Sequence, residues 1–377
     1  AMTIQTDAVD IAMLSATGTA GSTTFLRGDN AWATAGSTSA SDLTSGTLPM
    51  ARLSGTLPAL NGSALTNLPS NTTVATSAPS SPATGDLWFN TTSGNNTLNV
   101  WNGASWNQLS NTASATGGTE RTYTGYKSHT FTSSGTFQVT GGSPACDVLI
   151  VAGGGGGGGR NHSGGGGAGG VRVFTSQVLN AGSYTITVGA GGGDVAASNV
   201  QGSMGNTSTF QGIASSSGGG GGASYDTAGL SGGSGGGDNG GQNDNTARSP
   251  GSGNAGGYSP VEGYAGAATH VNTGYTAGGG GGGASETGGH TNKISDGGAG
   301  ISNAFSTGSN ISYGGGGVGS IGYNTTGQSG TPAATHGGGV MDAVGAANTG
   351  GGGGSGSTGS SPGKSGGSGI VVVRYAV

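Results

Sequence analysis

The chain has 377 residues, 92 of them glycine; only 7% are charged, and the net charge is −5. Glycine and proline at that share ordinarily mark low complexity, but disordered chains are usually highly charged and poor in aromatics, whereas ten tyrosines, seven phenylalanines and four tryptophans are spread through this one. The weak acidic balance leaves no electrostatic footprint for nucleic acid, the single cysteine excludes an intrachain disulfide framework, and no stretch approaches the roughly 18 apolar residues of a membrane-spanning helix.

The length suits two or three domains. No basic segment followed by an apolar core begins the chain, so the expectation is synthesis in a cytoplasm without a secretion signal, with any work outside a cell needing another carrier. Residues 1–40 form a first segment. There Phe25, Leu26 and Trp32 flank Gly28-Asp29-Asn30, a turn signal between two short extended pieces. Arg27-Gly28-Asp29 is read as that turn.

Residues 41–70 hold an internal repeat. SGTLP occurs at 45–49 and again at 54–58, and a looser NLP at 67–69. Leucines recur every three to five residues beside prolines that forbid a long helix. Short repeats of this kind bury their apolar side only against neighbours. Three chains wound about an axis would do so and form a fibrous shaft; the alternative is a spacer with incidental leucines. A Thr, Ser and Pro-rich linker follows at 71–84.

Residues 85–118 read as a small β module. LWFN, TLNVWN and SWNQL are strand-like and are divided by SGNN and by Asn102-Gly103, a strong hairpin signal. Trp88, Trp101 and Trp106 would supply its core, with a sugar-stacking platform as the other reading of three neighbouring tryptophans.

From Thr119 to the end, residues 119–377, the pattern changes. Segments 126–140 and 171–189 alternate about Ser134-Gly135 and Asn180-Ala181-Gly182 as hairpins would. Segments 147–152 and 370–373 are nearly continuous apolar runs suited to strands buried on both faces. They bracket the glycine-rich region, which implies a β platform built from its two ends. Cys146 falls in this strand-like stretch and is expected to be buried and inert.

Two glycine runs, 153–159 and 164–170, are joined by Arg160-Asn161-His162-Ser163, and further glycine-rich runs recur at 191–193, 218–222, 232–237, 278–283, 297–300, 314–317, 337–339 and 350–354. An isolated run has nothing to bury and would be a flexible linker. Packed side by side as polyglycine II helices, with three residues per turn and no internal hydrogen bonds, runs can satisfy one another's backbone groups. The fold class expected is therefore mainly β plus a polyglycine II helix bundle: a fibrous N-terminal shaft, a small β module, and a C-terminal β platform carrying layered glycine helices and loops. If the runs alternate in direction, the loops at the free end make a surface. Tyrosine with Ser, Gly and Asn suits recognition there, and the candidate contact residues are Tyr225, Arg248, Tyr258, Glu262, Tyr264, His270, Tyr275 and Tyr323.

Patterns that carry chemistry fall short. GSSPGKS at 359–365 is one residue short of a phosphate-binding loop and precedes no helical pattern. The five histidines, at 129, 162, 270, 290 and 336, lack zinc spacing. Glutamates occur only at 120, 262 and 286, thin material for a pair of glycosidase carboxylates. No enzyme activity, cofactor or metal is expected.

VLIVAGGGGGGG at 148–159, GSYTITVGAGGG at 182–193 and GGSGIVVVRY at 366–375, with STTFLRGDNAWAT, the SGTLP repeats, GDLWFN and WNGASW, resemble the glycine-rich receptor-binding domains and shafts of bacteriophage tail fibres and adhesins. The resemblance covers most of the chain. It implies a homotrimeric fibre on the virion tail, joined to other tail or fibre proteins through its N-terminus, whose distal loops bind a glycan or outer-membrane protein of a bacterial host. It carries no catalytic residue across. A structural or ice-binding extracellular protein could use the same bundle, but ice binding favours short regular turns and a flat face of small residues, unlike these irregular tyrosine-bearing loops.

Overall fold

In the computed structural model the chain divides into two units, residues 1–70 and 71–377, and the residues described are 17–19, 21–34, 72–92, 97–109, 113–160, 162–196, 199–240, 248–269, 277–289, 295–321 and 333–377. Among its described residues the first unit contains one hairpin, β1 (Thr24–Leu26) paired antiparallel with β2 (Trp32–Thr34). Its turn is the one expected: Asn30 takes a left-handed φ of 61°, the Asp29 carboxylate accepts from the Ala31 N–H at 3.3 Å, and Arg27 pairs with Asp29 at 3.2 Å. The leucine repeat of the expected shaft lies outside the described residues.

The second unit opens with a four-stranded sheet, β3 (Thr72–Ala75), β4 (Leu87–Asn90), β5 (Thr97–Trp101) and β6 (Trp106–Gln108), in that order. The segment expected to be a linker therefore begins with a strand, and β3 runs parallel to β4. Its Thr-Thr-Val core is β-branched, and the prolines follow the strand without interrupting it. Trp88, Trp101 and Trp106 share a face. Their rings meet edge-on and tilted, with centroids 5.7 and 5.6 Å apart, and Trp88 Nε1 donates to the Ala75 carbonyl at 3.0 Å. They are packed on one another and stay only partly buried.

Two five-stranded sheets follow. One has the order β15 (Ala214–Ser216), β14 (Ser208–Phe210), β13 (Gly182–Thr187), β10 (Gly135–Gly141), β7 (Ser114–Thr116); the other β12 (Val171–Val178), β11 (Ala145–Val151), β18 (Ile370–Ala376), β9 (Tyr126–Phe131), β8 (Thr119–Tyr123). Because β7 pairs with β10, the small β module ends before residue 114, short of the boundary expected at 118. The two hairpins expected at 126–140 and 171–189 are also corrected: β9 and β10 belong to different sheets, as do β12 and β13. Alternation and a turn signal serve a corner between two facing sheets as well as a hairpin. The inward residues of both sheets then share one interior, which holds Phe131, Phe137, Val148, Ile150, Ile186, Phe210, Val371 and Val373.

The ends of the glycine-rich region do meet. β11 and β18 pair in register from Cys146 opposite Tyr375 to Val151 opposite Ile370. Their outer face, Leu149, Val151, Ile370 and Val372, is covered by Phe305 and by Tyr313 of a hairpin made by β16 (Ile301–Asn303) and β17 (Ile311–Tyr313). Cys146 is fully buried, and burial pushes its thiol up to about 12. No helix occurs among the described residues.

Between β11 and β12 the chain leaves the sheets as the run 153–159 and returns as 164–170. No backbone bond forms within either run. Donors 152, 155 and 158 go to carbonyls 170, 167 and 164; donors 153, 156 and 159 to 206, 203 and 200; donors 154, 157 and 160 to 367, 364 and 361. Each neighbour is thus met at every third residue. Carbonyls 153 and 156 accept from the N–H groups of 219 and 222, and carbonyls 155 and 158 from those of 353 and 356. The run 164–170 repeats the arrangement with donors to 217–223, 279–282 and 350–353. These two runs are enclosed by others on all sides.

Candidate functional site

The array has two different ends, because Val151 and Val171, where the two enclosed runs meet the sheets, are paired residues. The far end is where Arg160, His162 and Ser163 lie. Hydrogen bonds place the described residues that share it: Gly159 donates to the carbonyl of Val200, Arg160 to Ser361, Gly164 to Ala223, Ser320 to Ser163, and Gly240 to His162. Ser163 and Ser224 hydroxyls both donate to the Gly159 carbonyl, at 2.6 and 2.8 Å.

Polar and aromatic side chains gather at this end. Arg160 donates from Nη1 to Asn199 Oδ1 at 2.8 Å, and its guanidinium carbon lies 5.8 Å from the centre of the Tyr225 ring. Arg248 pairs with Asp226 at 2.8 Å. Asp238 is fully buried and accepts from the Asn239 N–H at 2.7 Å and from Thr269 Oγ1 at 3.1 Å; burial nevertheless raises its carboxyl above the ordinary value. Arg160, His162 and Asp226 hold left-handed φ values of 76°, 64° and 57°, which only glycine adopts without cost.

The expected contact residues separate. Tyr225 and Arg248 are at the far end. Tyr258 and Glu262 are at the sheet end. The Tyr258 ring lies under the Arg172 guanidinium at 3.7 Å, with its hydroxyl 2.9 Å from Ser215 Oγ. Glu262 is a correction: it is fully buried, and its carboxylate accepts from Ser216 Oγ at 3.0 Å and from the N–H groups of Ser217 at 2.8 Å and Gly256 at 3.2 Å. Its backbone carbonyl caps the start of β12 through the Val171 N–H, so it anchors a loop and offers nothing outward. Tyr264 is exposed, on a segment whose N–H and C=O bond to Gly283 and Gly235. His270, Tyr275 and Tyr323 lie outside the described residues.

Sequence reasoning missed Arg160 and Asn199. A signal existed in the arginine itself, the first large side chain after seven glycines. Among the described residues no group of three His, Cys, Asp or Glu side chains could hold a metal ion.

A glycine-rich domain family matches residues 130–376. The chain belongs to that family. The match begins in β9 and ends in β18, so the glycine-rich domain takes in the array together with most of the strands that clasp it. No curated protein matches the chain.

Proposed function

We propose that this glycine-rich domain is the receptor-binding end of a phage tail fibre or adhesin. The observation that carries the reading is the polarity of the array. Its sheet end is closed by packed strands, while its far end gathers Arg160, Asn199, Tyr225, Asp226 and Arg248 from four segments of the sequence. Side chains converging at the end of a rigid scaffold are the usual form of a recognition surface.

In this reading the runs are polyglycine II helices. The three-residue repeat of donors and the lack of bonds within a run support it, as does the absence of positive φ throughout 153–159 and 164–170. The leucine repeat at 42–69 winds three chains into a shaft, and the N-terminal segment joins other tail proteins. The fibre rides on the virion tail after assembly in the host cytoplasm and binds a glycan or outer-membrane protein of the bacterial surface. Its role is attachment, without catalysis, cofactor or nucleic acid.

The test is binding of labelled protein to a panel of candidate host cells, with a Tyr225→Ala/Arg248→Ala double variant beside the parent. Binding by the parent and a tenfold or greater loss in a normally folded variant is expected. No binding by the parent to any host, or equal binding by both, would overturn the reading.

A further inference from the structure

We infer that Arg160 is the centre of an anion subsite that takes the carboxylate of an acidic sugar or a phosphate group at the far end of the array. This rests on the receptor-binding reading and narrows it to a ligand chemistry. The other arginine at this end is neutralised, since Arg248 pairs with Asp226 at 2.8 Å; so is Arg374, held by Asp147 at 3.0 Å. Among the described residues no carboxylate pairs with Arg160. Its one side-chain hydrogen bond goes to the neutral Asn199 amide at 2.8 Å, its Nε is buried without a partner, and the ring of Tyr225 lies beside it.

A guanidinium is always charged and presents a rigid fork of donors matched to carboxylate and phosphate oxygens. Here Nη2 and the second Nη1 hydrogen are unclaimed, while the buried Nε lies out of a ligand's reach. The amide holds the head, and the ring lies within cation–π range of it, so an arriving anion meets a positioned donor pair with no competing acid to displace. On a chain of net charge −5, an unneutralised cation is a local focus of positive potential.

The backbone points the same way. Arg160 sits at φ 76°, directly after seven glycines, where an eighth glycine would be unstrained. The backbone at this position would suit glycine better, so the side chain is carried against local strain, and the one present is suited to bind an oxyanion. Arg160→Gly is accordingly a variant in which loss of binding and loss of fold are separable.

The experiment is calorimetric titration of the full chain with three probes: an oligosaccharide containing glucuronic acid, glucose 1-phosphate, and a neutral glucose oligosaccharide of similar length. The parent is expected to bind one or both anionic probes, the one bound telling an acidic sugar from a phosphorylated surface. Arg160→Gly should bind the anionic probes at least tenfold more weakly, Arg160→Lys should fall between, and the neutral oligosaccharide should not distinguish the three proteins. Arg160→Gly should melt within a few degrees of the parent, because relief of the φ strain offsets the lost Asn199 bond and the freedom glycine adds to the unfolded chain. Failure of the parent to bind either anionic probe, or equal binding by Arg160→Gly, would overturn the inference. Purified probes keep this separate from attachment. A parent that binds the uronate but no host cell loses the fibre reading and keeps the subsite; one that binds cells equally well with and without Arg160 keeps the fibre and loses the subsite.

Discussion

A methyl group added to Gly166 would meet the carbonyls of Gly155 and Gly156 well inside the 3.0 Å that real Cβ atoms respect, with backbone on the other side and nothing flexible to give way. Gly193 is the contrast, with nothing within 4 Å of the same position. Urea unfolding should therefore show Gly166→Ala destabilised by at least about 1–3 kcal/mol, the usual cost of overpacking, and Gly193→Ala within about 0.5 kcal/mol of the parent. His129 supplies a pH dependence. It is fully buried between Phe137 and Tyr375, with ring centroids 5.1 and 5.7 Å away. Its Nδ1–H donates to the Gly117 carbonyl at 2.8 Å, and its Nε2 is buried without a partner. Burial lowers its pKa below 6.5, outweighing the Gly117 bond and the nearby Glu120. The unfolded chain then binds a proton that the folded chain refuses. Stability should be full above about pH 6.5 and fall as pH drops below it, and His129→Phe should flatten that part of the profile in thermal melts.

Neighbouring runs differ in how many of their sides are covered, and glycine content follows the coverage. The enclosed runs 153–159 and 164–170 are glycine at every position but Ala168. The run 200–206 lies at the surface and needs glycine only where it faces inward. Gly202 and Gly205 abut the carbonyls of Gly156 and Gly153, whereas Met204 between them is exposed. Gly363, Gly366 and Gly369 repeat the spacing against Gly157, Gly154 and Val151. Gly205→Ala should therefore lower the melting temperature by several degrees, a shift expected from roughly 1 kcal/mol or more, while Met204→Ala should leave it nearly unchanged. This also explains which runs were legible in advance. Polyglycine announced the enclosed ones, but 200–206 and 361–369 look like ordinary loop sequence unless glycine at every third position is sought. The failed phosphate-loop pattern at 359–365 is largely one of these outer runs, its Lys364 carbonyl accepting from the Gly157 N–H.

For the assembled protein the proposal makes one further demand. Sedimentation velocity should give the mass of three 35.2 kDa chains, and deleting residues 41–70 should return the glycine-rich domain to a single chain without unfolding it. The second outcome is expected because the two enclosed runs find their hydrogen-bond partners within one chain. A monomeric parent, or a deletion variant that stays trimeric, would refute the leucine shaft.

The apolar runs at 148–151 and 370–373 could be read from the sequence as strands buried on both faces, because only an environment apolar on each side accommodates such continuity. The long glycine runs could be read as packed backbone, since nothing else stabilises them. Sheet membership could not. Alternation in β9 and β10, or β12 and β13, records which residues point inward and is identical whether the two strands pair or face each other across a core. The separation of Tyr225 and Arg248 from Glu262 likewise required the tertiary structure. It depends on which end of the array each loop reaches, and that is set by the lengths and directions of all the runs together, so no local pattern records it.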